Sequence, residues 1–374
     1  MDIVFLLLIV LVCFFSITVT FAIIPYISRK DLSFGIGMPE KIYYDSTVKK
    51  IRDNYRNGII LLGAVSTLLI ILLTLIIDSV SVSEYIFTPV VLIQLAGNGY
   101  IYLRAYGKMK ALKKESGWKN DSKEIIVVDT EFRNRKIAVS PLWFILYPIV
   151  MLGTLGAGMI FYDNMPEKVP MNFDFSGQAA GWVDKSYKLI FFAPVIQLFM
   201  AILFVFIYFV ISKSKQQIDS SDPETSLEQN RIFRYRWSAF IVFGGMAMLL
   251  VFSFVQLTIT GIVQNSLLTL FVPIALVVLI VGAVIVLSVT TGQSGSRVRI
   301  SINKKTGETV NRNDDKYWKL GSLYYNPDDP AVFVEKRFGI GWTNNWARPV
   351  SWIMIAGFLV LIIGLVLLTG NLMS

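Results

Sequence analysis

Long apolar runs alternate with polar segments along the whole chain. Eight runs are each close to the length of about 20 residues that a helix needs to cross the hydrocarbon core of a bilayer. Lys188 is the only Lys, Arg, Asp or Glu within them, and it lies at an edge from which its ammonium can reach the interface. This pattern predicts an all-α integral membrane protein with about eight transmembrane helices. The predicted spans are 3–27, 58–77, 85–103, 142–161, 188–211, 238–259, 268–290 and 350–370.

Composition and charge add an orientation to this picture. Hydrophobic residues make up 54% of the chain and charged residues only 16%, whereas soluble domains carry about 25% charged residues. Alternate polar segments hold 7, 10, 5 and 10 of the basic residues, which is 32 of the 35 Lys and Arg. By the positive-inside rule these segments face the cytoplasm, and both termini face outside. The segments are 28–57, 104–141, 212–237 and 291–349.

The distribution of the basic residues also bears on nucleic acids. A net charge of +9 suits a nucleic-acid-binding protein only where the basic residues cluster on one folded face. Here they are spread through loops on one side of the membrane, so topology accounts for the excess. We expect no nucleic-acid partner and predict contact with membrane lipids instead.

Two small polar modules interrupt the predicted helical bundle, one on each side of the membrane. The extracytoplasmic one is a loop, and the cytoplasmic one combines β and irregular structure. The predicted organisation is a three-helix region with basic cytoplasmic loops (1–141), a transmembrane hairpin (142–211) with the extracytoplasmic loop module (162–187), a linker with helices six and seven (212–290), a cytoplasmic aromatic and basic module (291–349) and the last helix (350–374).

Local order is indicated in the extracytoplasmic loop, "YDNMPEKVPMNFDFSGQAAGWVDKS". Pro166 and Pro170 favour extended backbone before them, and residues 171–175 alternate apolar and polar as a short strand does. Gly177 permits a turn, and Trp182 can lie at the level of the lipid headgroups.

The same loop resembles a motif, "LPxxIPxHFxxxGxxDxWxxK", of the sporulation-delay toxin immunity proteins of Gram-positive bacteria and their relatives. The resemblance implies a membrane receptor that protects against a secreted peptide toxin and can recruit a transcriptional repressor. Asn172 replaces the usual His of the motif and Ala180 its usual acidic residue, so a metal or proton role for that His is not expected here. The matching residues are Met165, Pro166, Val169, Pro170, Asn172, Phe173, Gly177, Trp182 and Lys185. The predicted ligand-binding residues are Asn172, Phe173, Asp174, Gly177, Trp182 and Lys185.

The cytoplasmic module starts with a pattern typical of a β-hairpin, "RVRISINKKTGETVNRN". Aromatic residues interleaved with Lys and Arg follow, which favours a position on the anionic inner leaflet. The stretch "DDKYWKLGSLYYNPDDPAVFVEKRFGIGWTNNWARP" is similar to a C-terminal module of unknown function found in the same kind of protein. Its "YYNPDD" and "GIGW" either form a ligand or partner site or make Asx turns. The candidate site residues are Trp318, Tyr325, Asn326, Asp329, Phe338 and Trp342.

Catalytic signatures are not found in the sequence. The chain contains no His, which excludes Ser-His, Cys-His and His-metal chemistry. Its one cysteine, Cys13, lies in the middle of the first apolar run, where a thiol behaves as a small hydrophobe. The apolar runs contain no paired carboxylates. We therefore expect a protein that is not an enzyme and has no cofactor or metal.

Two functions can be told apart by experiment, and a third, an accessory subunit that only scaffolds a neighbouring protein, is not distinguishable from them by sequence. The leading hypothesis is immunity or signal sensing towards a secreted peptide toxin or envelope stress, with the peptide bound outside and a regulatory protein inside. The alternative is a permease or channel-like transporter of a small or lipid-like solute that uses Gln94 and Asn98 of "QLAGNG". Against the alternative, small and amide residues within spans commonly pack helices together, and coupled transporters usually carry ionisable residues there.

Overall fold

The computed structural model describes residues 2–77, 80–118, 136–173, 179–216, 222–300 and 315–373. The fold is 73% helical, and eight helical segments of this described part are long and apolar enough to cross a membrane. The prediction of an all-α multi-pass membrane protein is therefore confirmed. The helices are α1 (Asp2–Ile27), α2 (Ser46–Ile77), α3 (Val80–Glu115), α4 (Leu146–Ile160), α5 (Phe192–Lys213), α6 (Pro223–Ile259), α7 (Ser266–Thr291) and α8 (Pro349–Leu372).

Three helices extend well beyond the apolar runs that predict them. α2 begins twelve residues before its apolar run, α3 continues through "RAYGKMKALKKE", and α6 begins at Pro223. The start of α6 follows from its sequence, because the Asp222 side chain accepts a hydrogen bond from the Thr225 N–H (3.3 Å) and proline occupies the first helical position. The stretch "PETSLEQ" is therefore part of the same helix as the sixth span.

The helices pack into two neighbouring groups. α2 lies against α1 and α3, while α6 lies against α4, α5 and α7. α7 also contacts α1, and α8 contacts α5. The apolar windows of α7 and α8 contain no buried residues, so nearly all of their Leu, Ile and Val side chains require lipid around them.

Polar side chains join α4, α5 and α6 within the membrane. The buried Gln197 amide donates to the Thr154 hydroxyl (2.9 Å), the Leu249 carbonyl (2.8 Å) and the Ser253 hydroxyl (3.0 Å). Close packing accompanies these bonds, because a Cβ on Gly245 would lie 2.0 Å from the Tyr147 hydroxyl. The interpretation of such residues as helix-packing positions is confirmed for this group.

Short antiparallel strand pairs lie between the helices. In the described part of the chain each pair forms its own two-stranded sheet. The strands are β1 (Leu32–Ser33), β2 (Ile36–Gly37), β3 (Lys168–Phe173), β4 (Ala179–Asp184), β5 (Trp318–Lys319), β6 (Leu323–Tyr324), β7 (Phe333–Glu335) and β8 (Trp342–Asn344). The hairpin predicted for "RVRISINKKTGETVNRN" falls mostly on 301–314, outside the described residues.

Candidate functional site

The loop between α4 and α5 folds as a β-hairpin, which we call the hairpin module (residues 162–191). Lys168 pairs with Asp184 and Val169 with Val183, and the register shifts between Pro170 and Phe173. Sequence patterning predicts one strand here, and the structure adds its partner, β4. The two strands satisfy each other's backbone groups, which gives an otherwise isolated loop a defined shape.

One face of the hairpin module is fixed to the helices by a small apolar core. Met165 and Val169 are buried against Leu189 and Ile259, the last residue of α6. Val183 of β4 packs onto the same cluster. Because side chains alternate along a strand, this places the neighbouring Trp182 on the opposite face, where 58% of its surface is exposed.

Four aromatic or basic residues of this module are together called the hairpin face (Tyr162, Trp182, Lys185 and Tyr187); Trp182 and Tyr187 are exposed, and Tyr162 and Lys185 are partly buried. The rings of Tyr162 and Tyr187 stack with their centroids 4.0 Å apart. Lys185 lies over the Tyr162 ring at 5.0 Å, and its ammonium donates to the Asp163 carbonyl (3.2 Å). Exposed aromatic rings beside a positive charge suit recognition of a peptide or of the lipid interface.

Two of the six residues predicted for ligand binding, Trp182 and Lys185, belong to the hairpin face. Asn172 and Phe173 lie in β3, and Asp174 and Gly177 lie outside the described residues. Tyr162 and Tyr187 were not predicted. A signal for them exists, because tyrosine at the ends of transmembrane segments is typical of the interfacial aromatic belt.

A second compact unit, the terminal module (residues 315–348), contains β5 to β8 and directly precedes α8. Its "NPDD" segment makes two Asx turns: the Asp328 N–H donates to the Asn326 side chain and the Ala331 N–H to the Asp329 carboxylate, both at 3.0 Å. The Asn345 side-chain amide then donates to the carbonyls of Asn326 (2.8 Å) and Asp329 (3.1 Å). Asn345 therefore holds the turn against the start of α8.

Asp329 is the most heavily bonded acid of this turn. Its carboxylate accepts from the Lys215 ammonium (2.7 Å) and the Tyr324 hydroxyl (2.8 Å). Burial alone would raise the pKa of this carboxyl, but the hydrogen bonds from Lys215, Ala331 and Tyr324 together hold its pKa below the ordinary value. The carboxylate is thus charged and internally compensated.

Five of the six residues predicted for the terminal module are buried or pack against other parts of the protein. Trp318, Asn326 and Asp329 are buried, and Phe338 stacks on Phe34 with centroids 5.6 Å apart. Trp342 packs against Phe233 at 5.6 Å. Tyr325 is different, since 49% of its surface is exposed. The hydrogen bonds of "NPDD" thus support its interpretation as Asx turns.

The terminal module also joins polar segments that are far apart in the chain. Glu335 is buried and accepts a hydrogen bond from Asn230 of α6 (2.6 Å), while the buried Arg234 guanidinium lies 3.5 Å away. Ser294, just after α7, also donates to Glu335. Removing one partner of a buried ion pair costs about 3–5 kcal/mol, so this network fixes α6 and α7 to the module.

The first polar segment joins the same assembly. Asp315 accepts from Lys113 of α3 (2.7 Å), from Arg337 and from the Gly37 N–H (3.2 Å). Gly35 has φ +80° and lies so close to Gly321 that a Cβ on it would meet the Gly321 carbonyl oxygen at 2.0 Å. The parts of all four basic segments that the structure describes thus meet at one end of the bundle.

α6 spans the distance between the two modules. Ile259 at its end contacts the hairpin module, and Asn230 and Arg234 near its start bind Glu335 of the terminal module. At about 1.5 Å per residue, the 37 residues of this helix are long enough to cross a bilayer with a polar extension.

Buried amides lie between α1, α2 and α3. The Gln94 amide donates to the Thr18 hydroxyl (3.0 Å), but its side-chain oxygen has no partner among the described residues. Asn98, one helical turn later, is fully buried, and within the described structure both of its amide atoms lack a partner. No group of three or more His, Cys, Asp or Glu residues in the described ranges could hold a metal ion.

Two family models match parts of the chain. A domain of unknown function (DUF1648) matches residues 149–198, which include the hairpin module with parts of α4 and α5. A family of unknown function (DUF5808) matches residues 327–352, from the Asx turns to the start of α8. Both are often found in membrane proteins. Neither a curated protein nor a solved structure matches the chain. The chain is accordingly a multi-pass membrane protein in which two segments match models of unknown function.

Proposed function

We propose that the chain is a non-enzymatic receptor in the bacterial cell membrane that confers immunity to a secreted peptide toxin or senses envelope stress. The hairpin face receives the peptide, and the terminal module with the surrounding basic segments meets a regulatory protein and anionic lipid. In this proposal the hairpin module and both termini lie outside the cytoplasm, in agreement with the distribution of Lys and Arg.

The observation that carries the proposal is the combination of a rigid anchor and an exposed aromatic surface in one small module. The hairpin is held by Met165, Val169 and Ile259, yet it leaves Trp182 58% and Tyr187 69% exposed. A pre-ordered loop loses little conformational entropy on binding, and Trp and Tyr are the residues that most often dominate a binding interface.

The test uses a strain that lacks the gene, challenged with a panel of secreted peptide toxins. We expect the deletion strain to be hypersensitive to one toxin and the wild-type gene to restore survival. Trp182→Ala should insert normally into the membrane but bind the toxin at least about 30-fold more weakly, the loss typical of a tryptophan hot spot. Its survival should then resemble that of the deletion strain.

Trp352→Ala is the matched control, because Trp352 is also 58% exposed but lies in α8 beside the terminal module. It should protect as well as the wild type. Full protection by Trp182→Ala would contradict a role for the hairpin face, and equal survival of deletion and wild-type strains across the panel would contradict immunity.

A second function is favoured by one observation: the side-chain amide of Asn98, near Gln94, has no hydrogen-bond partner in the part of the chain that the structure describes. A buried polar group without a hydrogen-bond partner destabilises the protein unless a ligand or water forms a hydrogen bond with it. These residues could therefore line a path for a small or lipid-like solute. Changing both residues to Leu should leave a receptor functional and disable a transporter. Toxin survival and solute uptake, measured on the same double variant, separate the two functions.

A further inference from the structure

Arg52, in the second turn of α2, has an unusual environment for a cation. Only 5% of its surface is exposed. Its Nη2 donates to the Tyr43 carbonyl (2.8 Å), but Nε and Nη1 are buried and have no hydrogen-bond partner in the described parts of the chain. Three N–H donors of one guanidinium are therefore unused.

The charge of Arg52 is also not balanced by an acid. A guanidinium stays protonated in proteins, and burying it without a counter-charge is strongly unfavourable. Among the described residues no carboxylate forms an ion pair with it; the neighbouring Asp53 instead accepts from the Tyr26 hydroxyl (2.7 Å) and pairs with Arg56 (3.4 Å). The Tyr43 ring, 3.9 Å from the guanidinium, supplies only the weaker cation–π attraction.

Nearby charges increase the positive potential around Arg52. Lys49 and Arg56 lie three residues before it and four after it in α2, which places all three on one face of the helix. Lys30 from the preceding segment lies 5.3 Å from the Tyr44 ring, next to Tyr43. An anion with several acceptor oxygens suits both the surplus charge and the free donors.

The depth of Arg52 indicates the source of such an anion. Arg52 precedes the start of the apolar run at Gly58 by six residues, or about 9 Å along the helix axis. This is near the outer edge of the lipid headgroup layer, which extends about 5–8 Å from the hydrocarbon core on each side. We propose that Arg52, stacked on Tyr43 and flanked by Lys49 and Arg56, binds a phosphate group, supplied by the headgroup of an anionic phospholipid.

The experiment uses the full chain, purified in a neutral detergent. Short-chain phosphatidylglycerol, short-chain phosphatidylcholine and inorganic phosphate are added separately, and the thermal midpoint and the bound lipid by native mass spectrometry are recorded. We expect phosphatidylglycerol to raise the midpoint and remain bound, and phosphatidylcholine to do neither. If inorganic phosphate stabilises the protein equally well, the phosphate site is supported, with a free anion as its source.

Arg52→Gln removes the charge, and Arg52→Lys keeps it while removing the planar donors. Both should weaken phosphatidylglycerol binding by about tenfold or more, the loss expected for charge-assisted hydrogen bonds. Lys50→Gln is the control, because it removes a charge from the same helix but its exposed side chain lies two residues from Arg52 and so points to another face of α2; its binding should stay within about threefold, as for a screened surface charge.

Arg52→Lys decides the question if Arg52→Gln does not fold. Phosphatidylglycerol binding equal to that of the wild type in Arg52→Lys would overturn the proposal. So would a wild-type protein that neither phosphatidylglycerol nor phosphate stabilises, or one that retains phosphatidylcholine equally well.

Discussion

Polar residues of the terminal module show why residue type alone could not distinguish a ligand-binding side chain from one that only stabilises a turn. Asn326 and Asp329 are the kind of residue that binds a ligand, and a sequence cannot tell whether their oxygens face a ligand or their own backbone. The difference is made by Asn345, 16 or more residues away, whose amide closes the two turns from the other side. Tyr325, between the buried Tyr324 and Asn326, is exposed.

Asp329 leads to a prediction about pH. Its pKa lies below the ordinary value of 3.8 in the folded protein, so the charged form stabilises the fold. That contribution is fully present above pH 3.8 and is lost as the pH falls through the lower folded value. Asp329→Asn should therefore lower the thermal midpoint at neutral pH, and the gap to the wild type should narrow at acidic pH.

The measurement is the thermal midpoint in detergent from pH 7 downwards. Asp328→Asn serves as the control, because the Asp328 side chain is exposed and the internal hydrogen bonds are made by the carboxylate of Asp329. The thermal midpoint of Asp328→Asn should follow that of the wild type at every pH. A gap between Asp329→Asn and the wild type that is constant with pH would show that the charge of Asp329 does not stabilise the module.

At the scale of elements, hydropathy predicted that the helices exist but did not predict where they end. Six of the eight apolar runs lie wholly within described α-helices, and the runs 142–161 and 188–211 begin in the 3-10 turns Pro141–Ile145 and Tyr187–Phe191 that lead into α4 and α5. The runs are helical because a span of that length in lipid must satisfy its backbone internally. The polar extensions of α2, α3 and α6 have no such constraint. They remain helical where tertiary partners hold them: Arg234 and Asn230 through Glu335, and Lys113 through Asp315.

The contact between β1–β2 and the terminal module is the element-scale prediction. Gly35→Ala places a methyl group 2.0 Å from the Gly321 carbonyl oxygen and forces a non-glycine residue into φ +80°. The backbone conformation alone costs about 1–2 kcal/mol, and the clash adds to it. We expect a lower thermal midpoint and faster proteolysis of the segment between α1 and α2.

Gly107→Ala is the matched control, since no atom lies within 4 Å of the added Cβ and the residue is in the middle of a helical stretch of α3. It should stabilise the protein by about 0.5–1 kcal/mol, because alanine lowers the conformational entropy of the unfolded chain relative to glycine. Equal effects of the two substitutions would mean that β1–β2 does not depend on the close approach of Gly35 to Gly321.

At the scale of the whole molecule, the contacts between distant polar segments could not be predicted from the sequence. The Gln293 side chain accepts from the backbone N–H of Arg29 (3.1 Å) across 264 residues of chain, and the Arg337 guanidinium donates to the Gly35 carbonyl (3.1 Å) across 302. Each side chain is unremarkable in its own segment. Because such contacts depend on how the helices are arranged, local periodicity carries no information about them, whereas the charge bias of the loops correctly grouped the segments at one end.

The grouping makes orientation testable with the one cysteine of the chain. Cys13 lies within α1, so Cys13→Ala gives a cysteine-free background in which single cysteines report their own side of the membrane. Glu167 of the hairpin module and Asp328 of the terminal module are both exposed and lie at opposite ends of the bundle. Under the proposed topology a membrane-impermeant maleimide labels Glu167→Cys in intact cells and Asp328→Cys only after permeabilisation.

The two positions control for each other, because full labelling of both after permeabilisation shows that each thiol is accessible. The reverse pattern in intact cells would place the basic end outside, against the positive-inside rule, and would remove the hairpin face from contact with any secreted peptide. A receptor role for Trp182 therefore depends on Glu167→Cys being the position labelled first, and this measurement should precede the toxin panel.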